Sequence, residues 1–291
     1  MFRLLVVTAA FLSFFTNARW FEDQGPLATA HGLLLSGRVT ASFEQMVQLW
    51  QQQPTLLIEE NLDGLLSAAV AVDCGRSLDE LLLPEWLPEI SLQRETIQHV
   101  NQVNYSVNLK GVSTSSTLDV ELVRWPDTSI VSGRTSVAKD GNFEMSFRHF
   151  SALLPRGLYQ LKVTTSGEIP WITWVILGES ESKQRISWVD SLSWRIDKDA
   201  LPLKTCPASV LEQQIYPLDK LYQSVQWNLR HQGRLPTEFN PEDTELESGR
   251  YWLSVGLVET RWQGGLQLQE IQRLIKPVEL HTPDKLDVSM F

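Results

Sequence analysis

The pattern Leu-x-x-Gly-x-Tyr-x-Leu-x-Val is written twice, as LPRGLYQLKV at 154–163 and as LESGRYWLSV at 246–255. Apolar residues at every second position after the tyrosine have the period of a strand with one buried face. A glycine two residues before the ring permits a sharp approach of the chain. In β-sandwich domains a tyrosine at the start of a late strand folds its hydroxyl back onto nearby backbone and pins the corner between sheets. Tyr159 and Tyr251, with Gly157 and Gly249 at the same offset, therefore predict two equivalent corners and a duplicated antiparallel module.

The flanking sequence has the same period. Val103, Tyr105, Val107 and Leu109 alternate with polar residues, as do Leu118, Val120 and Leu122. Asp140-Gly141 supplies the positive φ of a tight hairpin turn, with Phe143, Met145 and Phe147 as the returning strand. Residues 171–177 are apolar on both faces and predict a well-covered final strand. The second copy runs from Ile186 to Leu280, with Trp188 and Trp194 on a hairpin and a mildly helical insert between Ala208 and Tyr222.

From Pro26 to Gln98 the signal is helical. Phe43, Met46, Val47 and Trp50 fall on one helix face, and Leu62, Leu65, Leu66 and Ala69 repeat the arrangement. The segment 26–54 reads as a helical hairpin of the tetratricopeptide type, with Gly37 at its turn and His31 on its buried face. Ser77-Leu78-Asp79-Glu80 has capping-box spacing and predicts a short helix before Pro84. The fold class expected is mixed α and β in separate domains: an N-terminal α-helical hairpin cap followed by two antiparallel β-sandwich modules. The boundaries are a signal peptide at 1–18, a helical domain at 19–99, and sandwiches at 100–180 and 181–291.

The signal peptide is read from Arg3, the apolar run Leu4 to Phe15, and Thr16 and Ala18 before Arg19. That run is too short to span a bilayer, so a periplasmic or secreted address is expected, with no stable membrane insertion after cleavage. The formal charge of −10 repels phosphate backbones and makes nucleic acid a poor partner. In an oxidising compartment the two cysteines, Cys74 and Cys206, form either one disulfide or two separate buried thiols, the disulfide being simpler.

SVAKDGNFEMSF followed by LLPRGLYQLKV resembles the transthyretin-like, or carboxypeptidase-regulatory, type of β-sandwich, which implies a fold and no catalytic residue. The order WFEDQGPLATAHGLLLSG, AVDCGRSLDELL and then a β-rich remainder is similar to an uncharacterised family of gammaproteobacterial envelope proteins. That resemblance implies a periplasmic address and no activity.

Local reactive motifs are sparse. The five histidines, His31, His99, His149, His231 and His281, have no metal-ligand spacing, and no metal or other cofactor is expected. No GxSxG elbow or phosphate loop occurs. Carboxylates are plentiful, including Glu59-Glu60, Glu179/Glu181 and Glu242-Asp243, but a catalytic pair must converge across a cleft, and Glu242-Asp243, in a polar loop, reads as solvated charge. The unusual composition is 11 tryptophans. Trp252, pointing away from Tyr251, and Trp262 are the candidate ligand-binding rings, set against core or inter-module packing. The expected function is a non-enzymatic binding or adaptor protein engaging another envelope protein. The alternatives are glycan recognition through tryptophan faces and, last, hydrolysis.

Overall fold

The computed structural model describes residues 25–178, 185–197 and 204–281. The expected signal segment and the Glu179/Glu181 pair lie outside them. Among the described residues three α-helices, α1 (Pro26–Leu35), α2 (Val39–Gln51) and α3 (Leu56–Asp73), are followed by thirteen strands. These are β1 (Glu89–Gln98), β2 (Val103–Val112), β3 (Thr117–Arg124), β4 (Thr128–Ser136), β5 (Asn142–Phe150), β6 (Gly157–Thr164), β7 (Trp171–Leu177), β8 (Ile186–Trp188), β9 (Trp194–Ile196), β10 (Val210–Pro217), β11 (Trp227–Gln232), β12 (Gly249–Gln263) and β13 (Leu266–Leu280).

Proline at its first position starts α1, and Gly37, at φ 77, turns the chain into α2. The hairpin is pinned by Ser42, whose hydroxyl donates to the Ala30 carbonyl at 2.8 Å. Phe43, Met46, Val47 and Trp50 of α2 are all buried, as their spacing requires, against Leu62, Leu65 and Leu66 of α3 and against Leu158 and Ile176 of the sheet. Left-handed Cys74 and Gly75 end α3.

The strands form a seven-stranded sheet, β11-β10-β12-β13-β1-β2-β5, a four-stranded sheet, β4-β3-β6-β7, and a two-stranded ribbon, β8-β9. Leu118, Val120 and Leu122 of β3 meet Leu92, Val107 and Leu109 of the large sheet, which closes the first β core. Each fully buried leucine there contributes roughly 1.5–3 kcal/mol relative to exposure. Strand β7 is covered along one face, where Trp171 and Val175 enter this core, and only in part on the other, where Trp174 and Ile176 meet the helices but Ile172 is exposed, so the expected cover is incomplete. Ile186 and Trp194 of the ribbon pack with Leu211, Leu253, Val255 and Leu274 into a second core.

Strands β12 and β13 serve both cores. Along one face of β13, Leu266 and Leu268 belong to the first core and Leu274, Val278 and Leu280 to the second. Between them on that face lie Glu270 and Gln272, in register with Glu259 and Leu257 of β12. Arg94 donates to Glu270 at 2.7 Å, and Arg185 pairs with Glu259, so a charged band separates the two apolar clusters.

Five expectations need correction. Residues 89–98 are strand β1, not helix, and β1 runs parallel to β13, so the sheet system is not purely antiparallel. The capping-box segment 77–80 is a turn without a helix, its donors engaged by Asp73 instead: Gly75 and Ser77 N–H donate to that carboxylate at 3.1 and 3.0 Å. Residues 210–217 of the supposed helical insert are strand β10, paired on both sides. The Asp140-Gly141 turn exists, with Gly141 at φ 85, but β4 and β5 lie in different sheets, so it is a corner between layers and no hairpin. His31 is exposed, because α1 buries only Ala30 deeply.

Candidate functional site

The two tyrosines that organise the sequence make the same bond. The Tyr159 hydroxyl donates to Pro155 O at 2.7 Å and the Tyr251 hydroxyl to Glu247 O at 3.0 Å, each four residues back. Tyr159 is wholly buried, and burial pushes its phenol up to about 12, whereas Tyr251 is half-buried. The glycines differ too. Gly157 holds φ 147, a region suited to glycine, while Gly249 lies where a Cβ would reach the Tyr251 ring at 3.4 Å.

The structure does not bring the candidate tryptophans together. Trp252 and Trp262 lie ten residues apart on one strand, about 33 Å at a strand's rise per residue. Both are half-buried; Trp252 Nε1 donates to Leu218 O at 3.0 Å and Trp262 lies under Arg76, 3.8 Å from ring centroid to Cζ. Other tryptophans seal joints. Trp125 meets Trp174 edge-on at 5.5 Å and donates to Gln51 O at 3.1 Å, tying the end of α2 to the small sheet.

Trp262 belongs to a dense junction at the tip of the β12–β13 hairpin. Trp262 N donates to Cys74 O at 2.9 Å and Gly264 N to Gly75 O at 3.1 Å. Cys74 and Cys206 are disulfide-bonded at a sequence separation of 132. Gln263, almost fully buried, accepts from Ile176 N at 3.1 Å and donates to Ile176 O at 2.6 Å, so one side chain pairs with the exposed edge of β7 as a strand would. The helices are thereby fixed to both β cores.

On the face of the large sheet opposite the two cores, Arg273 is the centre of a buried cluster that the motif search missed. Its Nε donates to Glu95 at 2.5 Å, its NH1 to Gln214 and Ser254 at 3.0 and 3.1 Å, and its NH2 to Glu212 at 3.1 Å. Glu95 also accepts from Ser106 at 2.9 Å. Burial alone raises the Glu95 carboxyl, but the charge and hydrogen bond of Arg273, with those of Ser106 and Asn108, hold it below its ordinary value. Burial likewise opposes the Arg273 charge, and Glu95 and Glu212 more than offset it. The readable signal was Arg273 sharing strand parity with Ile271 and Ile275. A network joining five strands, in which the Arg273 and Glu95 charges are paired and Asn108 Oδ1 is the one buried oxygen of the cluster without a partner among the described residues, has the form of a fastening more than of an acid–base centre. Among the described residues no group of three or more His, Cys, Asp or Glu is placed to hold a metal ion.

The outer surface of the helical layer is different in kind. Helix α1, PLATAHGLLL, contains no Asp, Glu, Lys or Arg, and Leu35 at its end is 86% exposed. Leu57 of α3 is 69% exposed, and Gly64, Ala68, Ala71 and Val72 are exposed along the same helix.

These features define a β-sheet-rich, disulfide-linked protein carrying an N-terminal helical layer. Within that class, the chain belongs to the family described as Protein of unknown function (DUF2861), whose model matches residues 20–279. No match is found among curated proteins. Among solved structures, one similar chain is titled Biofilm associated protein - BSP domain, at 11% identity and a TM-score of 0.22. The likeness covers 67% of this chain and 30% of that one, and is too low to carry a structural argument. No described helix is long and apolar enough to cross a membrane.

Proposed function

We propose that this protein is a non-enzymatic, exported adaptor that engages another envelope protein through the outer face of α1 and α3. The observation that carries the reading is the apolar, solvent-facing surface of that layer, where α1 carries no charge and Leu35, Leu56 and Leu57 stand exposed beside Glu60, the one exposed carboxylate of α3, in a chain of net charge −10. Exposed apolar side chains on an otherwise charged protein are the usual mark of a docking surface. Anchoring favours the same reading: the disulfide and the Cys74 and Gly75 carbonyls fasten the end of α3 to the β region, so a partner meets a preorganised surface.

Export and a periplasmic address are supported by the Cys74–Cys206 bond and by the Leu4 to Phe15 run after Arg3. The β region is read as two fused sandwich-like modules, the first of transthyretin type. The paired tyrosine bonds and the charged band between two apolar cores support this, with the parallel β1–β13 pair as the fusion.

The test is a double variant, Leu35→Asp with Leu57→Asp, in crosslinked pull-downs from the cell envelope. A partner captured by the wild type and lost by a variant of unchanged melting temperature supports the adaptor reading. Retention of every partner contradicts it.

A further inference from the structure

A second surface lies away from the helices, between the 81–88 loop that leads into β1 and the 165–170 turn that joins β6 to β7. The two walls enclose an open cleft of about 580 Å³. Trp86 and Trp171, each only 6% exposed, form its floor, and Leu82 and Ile169, each 83% exposed, stand at its lips. Pro84 and Pro170 also line it.

The loop is held in place: the Trp86 carbonyl accepts from Ser113 Oγ at 2.8 Å and Thr114 N at 3.1 Å, and Leu87 N donates to Pro84 O at 2.8 Å. The cleft is thus a built feature whose lips remain uncovered. Its charge is one-sided. Glu85 and Glu168 are both exposed lining residues, neither has an ion pair among the described residues, and no lysine or arginine lines the cleft.

We infer that this cleft binds an extended peptide in which an apolar residue, leucine or proline, is flanked by lysine or arginine. The apolar residue sits between Leu82 and Ile169 over the tryptophan floor, and the cations meet Glu85 and Glu168. Prolyl and aliphatic side chains suit a groove of tryptophan and proline, because an extended segment loses little conformational freedom on docking there. A sugar is disfavoured on two counts. Stacking needs an open indole face, and both floor rings are buried almost to the edge. Hydroxyl recognition needs many donors and acceptors, and beside the two carboxylates only Thr114 supplies a polar side chain. This site is independent of the helical face, so either can fail without the other.

The experiment pans a random-peptide phage library against the full, disulfide-intact chain and remakes the enriched sequences as fluorescein-labelled peptides for anisotropy titrations. The expected hits carry Lys or Arg around Leu or Pro. Their affinity falls roughly ten-fold in Glu85→Gln with Glu168→Gln, and falls again as salt is raised. Leu82→Ser with Ile169→Ser abolishes the remaining binding, and all four positions are exposed, so the fold is kept. Hits without basic residues, hits indifferent to these variants, or a library that yields no enriched sequence would each overturn the inference.

Discussion

Arg273 and Glu95 are 178 residues apart in sequence and lie on strands that run parallel, joined by a hydrogen bond of 2.5 Å. Both side chains are less than a tenth exposed. The pair spans the one place where the early and late strands of the large sheet meet. Removing one partner leaves an uncompensated buried charge, so Arg273→Met is expected to cost about 3–5 kcal/mol in urea unfolding. Glu95→Leu added to Arg273→Met recovers part of that loss, because an apolar pair replaces the charged one. A single variant that unfolds at the wild-type urea concentration contradicts the role given to the pair.

Acid sensitivity follows from the same carboxylate. Its folded value is depressed below the ordinary 4.5, so the stability it contributes is present above about pH 4.5 and is lost as pH falls through the folded value. Thermal unfolding followed from pH 7 downward should show a falling melting temperature below about pH 4.5. In Glu95→Gln the decline over that window is shallower, from a lower starting point.

The Cys74–Cys206 bond closes a long loop and ties the end of α3 to the segment before β10. In the chain-entropy account a loop of this length is worth about 5 kcal/mol. Cys74→Ser with Cys206→Ser should therefore unfold at markedly lower denaturant concentration, and reduction of the wild type should bring it to the same midpoint. Equal midpoints for oxidised and reduced protein contradict this.

The two tyrosine bonds should differ in worth. Tyr159→Phe removes a part-buried bond whose donor ring is fully enclosed and is expected to cost about 1 kcal/mol. Tyr251→Phe, at a solvent-exposed bond to Glu247, should cost about half a kcal/mol or less, since water replaces the lost donor. Parallel denaturation curves of the two variants check the order.

Where one face of an element is buried, its period was visible in the sequence. The α2 face of Phe43, Met46, Val47 and Trp50 and the β6 alternation of Tyr159, Leu161 and Val163 were both legible, and so was the tyrosine repeat. Strand β1 was not, because six successive residues from Ile90 are buried and its parity carries no signal. In β10, Leu211 and Ile215 stand four apart, a spacing common to a helix face and to alternate strand positions, and Gln213 between them is buried yet polar. The Arg273 cluster draws on β1, β2, β10, β12 and β13, and its geometry depends on a parallel pairing that no local pattern announces. The 81–88 cleft is similar, since Trp86 and Trp171 are brought together only by the packing of the layers.

The most direct measurement of the adaptor account is photo-crosslinking in intact cells, with a benzophenone amino acid placed singly at Leu35, at Leu57 and, as a control, at Ser146 on the exposed edge strand β5. The account predicts one discrete protein adduct from both helical positions and none from Ser146. Adducts confined to Ser146, or none from either helix, would contradict it.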